Sequence, residues 1–154
     1  IKSTIEELSN SGFVTTPWYW IHEKHLSDIQ PYVLAFNDVA NANNTRTSIS
    51  AIVPKSGYGN TLPVLRHEDN VEASDVALMS GAFGSILFDF AARQKIQSRH
   101  LNKFVISQLP VIPLNDFHST RFGNKSAAEI IQDAVLRLTY VSERMIPFAK
   151  LSVK

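Results

Sequence analysis

The chain has 154 residues, enough for one domain that buries roughly two thirds of its unfolded surface without disulfides or metals. With 44% apolar and 19% charged residues it falls in the globular range, which excludes disorder and fibrous repeats. Having no cysteine, it has no thiolate catalysis and no Cys-based zinc site, and a net charge of only +1 excludes a protein coated in positive charge. No apolar run approaches the ~20 residues of a membrane span, and no signal-peptide pattern opens the chain. These features predict a cytoplasmic protein with no membrane partner. The first residue is Ile1 rather than Met, which we read as one domain over 1–154 cut from a longer polypeptide.

In chain order, Ser3 to Leu8 reads as a short helix ended by Ser11 and Gly12. Pro17 and the aromatic run Trp18-Tyr19-Trp20 favour an extended segment, with the three rings in the core, leading to a short helix near His22 to Ile29. Tyr32 to Phe36 predicts a strand, NDVANANN a polar loop, and the alternating β-branched phrase Thr45 to Val53 a second strand. KSGYGNT supplies a turn, after which Leu62 to Leu65 resumes as strand. A single long helix capped by Ser74 is predicted to Ala92, on the spacing of Val76, Met79, Phe83, Ile86, Leu87 and Phe90. Gly81 and Gly84 within it predict the close approach of another element's backbone. Leu101 to Ser107 reads as a short helix, and FVISQLPVIP as an extended core strand whose prolines keep the preceding residues out of the helical region. The box Ser126-Ala-Ala-Glu129 opens a last helix with Ile130, Ile131, Ala134, Val135 and Leu138 on one stripe. Strands clustered before Leu65 and helices after it predict an α+β fold with a small, largely antiparallel sheet.

Catalytic signatures are missing from the sequence. It carries no G-x-S-x-G nucleophile elbow, and SGYGN lacks the spacing and lysine of a phosphate-cradling loop. His22 and His25 are three apart rather than four and have no evident third ligand, so no metal site is expected. Glu68, Asp69, Glu72 and Asp75 fit a solvated loop and a helix first turn, where acids complement the helix dipole.

The distribution of charge says more than its sum. Acids are absent from Val39 to His67 and from Phe90 to Asn115, and these windows hold seven of the fifteen Lys and Arg residues. Folded together, they would make a one-sided basic surface. Arg46, Lys55, Arg93, Lys95, Arg99 and Lys103 suit phosphate contacts, whereas Asn60, Gln94, Gln97 and Asn102, with Asn41, Asn43 and Asn44, suit base edges. Tyr58 and His100 complete the candidate DNA-binding set; for His100 a structural hydrogen bond within its turn is an equal alternative. A helix end or a strand-and-loop region poor in Glu would also account for cations in such windows.

The ordered phrases TTPWYWI, RTSISAIVPKSGYGNTLPVL, FDFAARQKIQSRHLNKFVISQLPVIP and LRLTYVSERMIPFAK, spanning about Thr15 to Lys150, resemble the C-terminal part of bacterial restriction-modification enzymes. These enzymes fuse an adenine-specific DNA methyltransferase to a target-recognition region, as in type IIG systems. The most specific element is ARQK followed by HLN and then QLPV-P. The resemblance implies a target-recognition domain that docks on double-stranded DNA and selects the site at which a neighbouring methyltransferase or endonuclease domain acts. S-adenosylmethionine would belong to that neighbour, because N-P-P-Y and the glycine-rich cofactor loop are missing here. The fragment is therefore expected to be no enzyme by itself and to hold no cofactor. Ile96-Gln97-Ser98-Arg99 stands where the family often has a Gly-Gly-Thr turn, so Arg99 is named from its charge alone. From a different class comes the reading of an interaction module that packs on the methyltransferase or nuclease domain through Trp18, Tyr19 and Trp20 without reading bases.

Overall fold

A computed structural model describes residues 3–17, 19–97 and 99–152. The fold is α+β: a three-stranded antiparallel sheet and a small hairpin packed with several helices. The predicted class therefore holds, with several element boundaries moved.

The central strand β1 (Tyr32–Phe36) is apolar at every position and buried at every position. A strand without polar alternation fits only where both of its faces are covered. It lies between β2 (Ser50–Pro54) and β3 (Val64–Leu65), antiparallel to both, with Leu34 opposite Ile52 on one side and Leu65 on the other. Strand β2 starts at Ser50, five residues later than its β-branched pattern predicts. The backbone N–H groups of Thr47 and Ser48 donate to the Asp89 carboxylate, at 2.7 and 2.8 Å, instead of to a neighbouring strand.

The helical half begins with α1 (Ile5–Ser9), whose Thr4 and Glu7 form a capping box, and a 3-10 turn over Glu23–Leu26. What reads in sequence as one long helix is two, α2 (Ala73–Phe83) and α3 (Ile86–Lys95), bent by 60° across Gly84 and Ser85. Ser85 stops the first helix from continuing because its hydroxyl accepts from Phe88 N–H and starts a new one. Phe83 and Phe88 stack across the bend at 4.4 Å. The bend turns Ile86, Leu87 and Phe90 out to solvent, so only the α2 part of the predicted stripe serves the core.

Helix α2 is the hub: it meets β2, α3, α5 (Leu114–Ser119), α6 (Ala127–Thr139) and α7 (Ile146–Ser152). Leu78, wholly buried, packs with Phe117, Ala127 and Ala128, and burying such a side chain stabilises by about 1.5–3 kcal/mol. The approach of α6 is close at Gly81, where a Cβ would sit 2.4 Å from Ile131 Cγ2. Another element does come close at Gly81, but through the Ile131 side chain rather than its backbone. Gly84 instead ends α2. The α6 capping box forms as read, with Glu129 N–H donating to the Ser126 hydroxyl, but the helix buries Ala127, Ala128 and Val135 and leaves Ile130, Ala134 and Leu138 exposed. Between α5 and α6 lies the hairpin β4 (Arg121–Phe122) and β5 (Lys125–Ser126), turned at Gly123 with φ of 61°.

The predicted core strand FVISQLPVIP does not exist. Asn102 accepts from Val105 N–H and starts α4 (Lys103–Ile106), and the residues from Gln108 to Pro113 pair with no strand. Pro110 and Pro113 have no N–H for a ladder. Of residues 108–113 only Leu109 is buried.

Asp89 is 6% exposed. Burial pushes its pKa up, but the N–H groups of Ser48 and Thr47, with Arg93 and Arg46, outweigh burial and hold it below the ordinary 3.8. Such a group stabilises the fold above its unfolded pKa, and the stabilisation disappears as pH falls through the folded value. Asp89→Ala should lose about 2–4 kcal/mol at pH 7, since both arginines stay a third or more exposed and recover some hydration. Urea melts should show the gap between native and variant narrowing below about pH 4; a constant gap would mean that the carboxylate charge contributes nothing. Gly81→Ala should cost about 1–2 kcal/mol despite its better helix propensity, and Ile131→Ala in the same chain should abolish that cost. Additive losses in the double variant would place the strain elsewhere.

Candidate nucleic-acid interface

The described residues of the second acid-free window fold as the end of α3, a loop that includes 96, 97 and 99–102, and α4. That loop is tied to the chain leaving β1. Ala40 N–H donates to the Arg99 carbonyl at 2.9 Å, Leu101 N–H to the Asp38 carbonyl at 2.6 Å, and His100 Nδ1 meets the Asp38 carboxylate at 2.6 Å. Leu101 anchors the far side in the core with no exposed surface. The His100 contact runs to Asp38 in the loop after β1, not within its own turn as the structural alternative had it.

Two hollows flank this loop and share Asn102. One, of about 510 Å³, draws Tyr58 and Asn60 from the first window and Asn102 and Lys103 from the second, with Asp38 between them. The other, of about 360 Å³, is lined by Lys95, Gln97, His100, Asn102, Phe104 and Gln108. Six of the ten candidate residues therefore line adjoining surfaces: Tyr58, Asn60, Lys95, Gln97, His100 and Asn102. Asp38 is the one acid among the described residues lining the two hollows, and it is held by His100.

The remaining candidates have other positions. Arg46 and Arg93 are engaged within the chain. Arg46 donates to the Gly84 carbonyl at 2.7 Å and faces Asp89 at 3.6 Å, while Arg93 donates to the carbonyls of Asn44 and Thr45 and to Asp89 at 3.2 Å. Their charge offsets the Asp89 carboxylate and closes the loop after β1, so each has a structural task before any external one. Lys55 is half-buried, and its carbonyl accepts from Arg144 at 3.1 Å. The Tyr58 hydroxyl donates to the Pro54 carbonyl. Burial raises the Tyr58 pKa, with the nearby Arg144 acting against it. Arg99 is exposed and is fixed through its backbone carbonyl. Of the asparagines, Asn41 holds the loop together by accepting from Asn43 N–H and from Thr47, whereas Asn43 and Asn44 are exposed.

Lys103, read in the sequence as one of the phosphate-type cations of the second window, lines the first hollow; sequence reasoning left out Phe104, Gln108 and Arg144. Phe104 and Gln108 stand four residues apart on a segment read as partly helical, and that spacing was the available signal. Arg144 joins Tyr58 from 86 positions further along the chain, a distance over which no local pattern speaks. Tyr19 and Trp20 are 88% and 84% exposed, which overturns their placement in the core; Trp18 lies outside the described residues. His22 caps the following 3-10 turn, and no group of three His, Asp or Glu among the described residues could hold a metal. A separate apolar cleft of about 520 Å³ between β3, α2 and the segment after α4 is lined by Leu65, Met79, Phe83 and Leu109.

Such an arrangement offers cations, amides and one oriented imidazole on a surface tied to the sheet. Compared with family models, with curated proteins and with solved structures, the chain finds no match, so its likeness to restriction-modification enzymes rests on the quoted phrases alone.

Proposed function

We propose that the chain is a target-recognition domain: it binds double-stranded DNA and directs a neighbouring adenine methyltransferase or endonuclease domain to its site, with catalysis and S-adenosylmethionine belonging to that neighbour. The observation that carries this reading is the meeting of the two acid-free windows around Asn102, where Tyr58 and Asn60 share one hollow with Lys103 and adjoin Lys95 and Gln97 in the next. Base-reading groups flanked by cations are the division of labour that duplex recognition needs. The loop that carries them is fixed by backbone hydrogen bonds, so little ordering cost remains at binding.

A specific observation favours a second reading as well, a module that docks on a protein domain. Tyr19 and Trp20 are exposed together, and Ile86, Leu87 and Phe90 form an uncovered apolar face on α3. Aromatic side chains are the usual anchors of protein interfaces.

Binding to a labelled mixed-sequence duplex, followed by fluorescence anisotropy at about 50 and 200 mM salt, should weaken steeply, with a log-log slope of about 0.9 per phosphate neutralised. Lys55→Ala and Lys95→Ala should each weaken binding alike for all sequences and lower that slope. Asn60→Ala and Gln97→Ala should change preference at one base pair, by roughly 1–3 kcal/mol. A flat salt response would refute the DNA reading. For the docking module, Trp20→Ala and Phe90→Ser should abolish association with the catalytic domain, while Lys95→Glu leaves DNA binding by the assembled enzyme intact. Loss of DNA binding with Lys95→Glu would reject it.

A further inference from the structure

The hollow beside the basic loop has a composition that paired DNA does not explain. Phe104 is 74% exposed on its wall, a large ring facing solvent beside Lys95, Gln97, His100, Asn102 and Gln108. Its volume of about 360 Å³ lies in the range of roughly 300–1,000 Å³ typical of small-ligand sites. The hydrogen bonds of α4 fix what two of the amides present. Asn102 Oδ1 accepts from Val105 N–H at 3.1 Å, which leaves its NH2 group as donor. Gln108 Nε2 donates to the Phe104 carbonyl at 3.1 Å, which leaves its amide oxygen as acceptor. A fixed donor, a fixed acceptor, an exposed ring and a nearby ammonium match the edge, face and phosphate of a single nucleotide.

We propose that this hollow takes one unpaired base of a bound DNA strand, stacked on Phe104, with its edge paired to Asn102 and Gln108 and its phosphate near Lys95. The proposal rests on the DNA reading above and adds a base outside the helix to it. A fully paired base has both faces covered by its neighbours and gives Phe104 nothing to stack on, whereas an extruded or bulged base offers a whole face. The neighbouring Asp38 to His100 contact, with Leu101 sunk in the core, holds the opposite wall in place.

The test compares the affinity of the 154-residue chain for two duplexes of equal length at about 50 mM salt, one fully paired and one carrying a single unpaired nucleotide. The bulged duplex should bind about tenfold tighter, inside the range of one base–aromatic stack. Phe104→Ala should erase that difference, read as the ratio of the two affinities within each protein; Phe104→Trp should keep it, and thermal melts should show all three proteins folded. Equal affinity of the native chain for both duplexes would overturn the base-binding hollow and leave the DNA reading standing. Preference retained in Phe104→Ala would also overturn it. Binding to neither duplex would overturn the hollow and the DNA reading together.

Discussion

One buried carboxylate connects the two halves of this fold. Asp89 stands near the start of α3, accepts from the backbone of Thr47 and Ser48, and is flanked by Arg46 and Arg93. Taking a carboxylate out of water costs several kcal/mol, and the cost is offset only when its lone pairs are filled and an opposite charge is near. Here two N–H groups and two guanidinium groups meet that condition. The exchange works in both directions, because Thr47 and Ser48 are buried, belong to no strand, and would otherwise leave unpaired donors. Asp89 thereby sets where β2 can begin, how the loop after β1 closes, and which arginines face inward.

The surface around Asn102 follows from that closure. With the loop after β1 shut at its far end, its near end at Asp38 to Ala40 is held as a rail on which residues 99–101 dock. The basic segment is a loop by secondary structure, yet it takes its position from the central strand of the sheet. Binding groups on loops are effective when a scaffold fixes them, and this scaffold uses backbone hydrogen bonds rather than side-chain packing alone. Arg93 and Lys95, two residues apart, divide their tasks along the same helix. The first turns back to Asp89 and Asn44, and the second, exposed, lines the hollow.

How much of this was legible differs by the range of the interaction. The Ser126 to Glu129 capping box and the apolar run of β1 are local, and both formed as their residues require. The windows of missing acid were legible as composition, and their adjacency was not, because it depends on the dock of residues 99–101 against 38–40. Ser85 looked like one more residue in a periodic pattern that continued through Phe90, although its hydroxyl caps a second helix. Asp89 was the least legible. In the single helix read to Ala92 it fell near the end as one more surface acid, and nothing local marks that it accepts from residues 41 and 42 positions earlier. The opening charge count therefore credited Arg46 and Arg93 to the outer surface, when part of their charge is used within the fold.

The bend between α2 and α3 puts the features behind the two readings on different parts of one helix. A straight helix through Phe90 would keep Ile86, Leu87 and Phe90 in register with Val76 and Phe83, all facing one core. The bend, held by the Phe83 to Phe88 stack, frees the outer α3 residues while Phe88 and Ala92 stay buried. One helix then presents an apolar face over its first half and delivers Lys95 to the hollow at its end. A contiguous exposed apolar face suits burial against another surface, whereas salt-sensitive attraction to phosphate needs exposed cations. Because different residues of α3 carry them, a catalytic neighbour docked on the helix side and DNA held at its end would not compete for the same surface. Such a domain would convey its position on DNA to that neighbour through a rigid ten-residue helix rather than through a flexible linker.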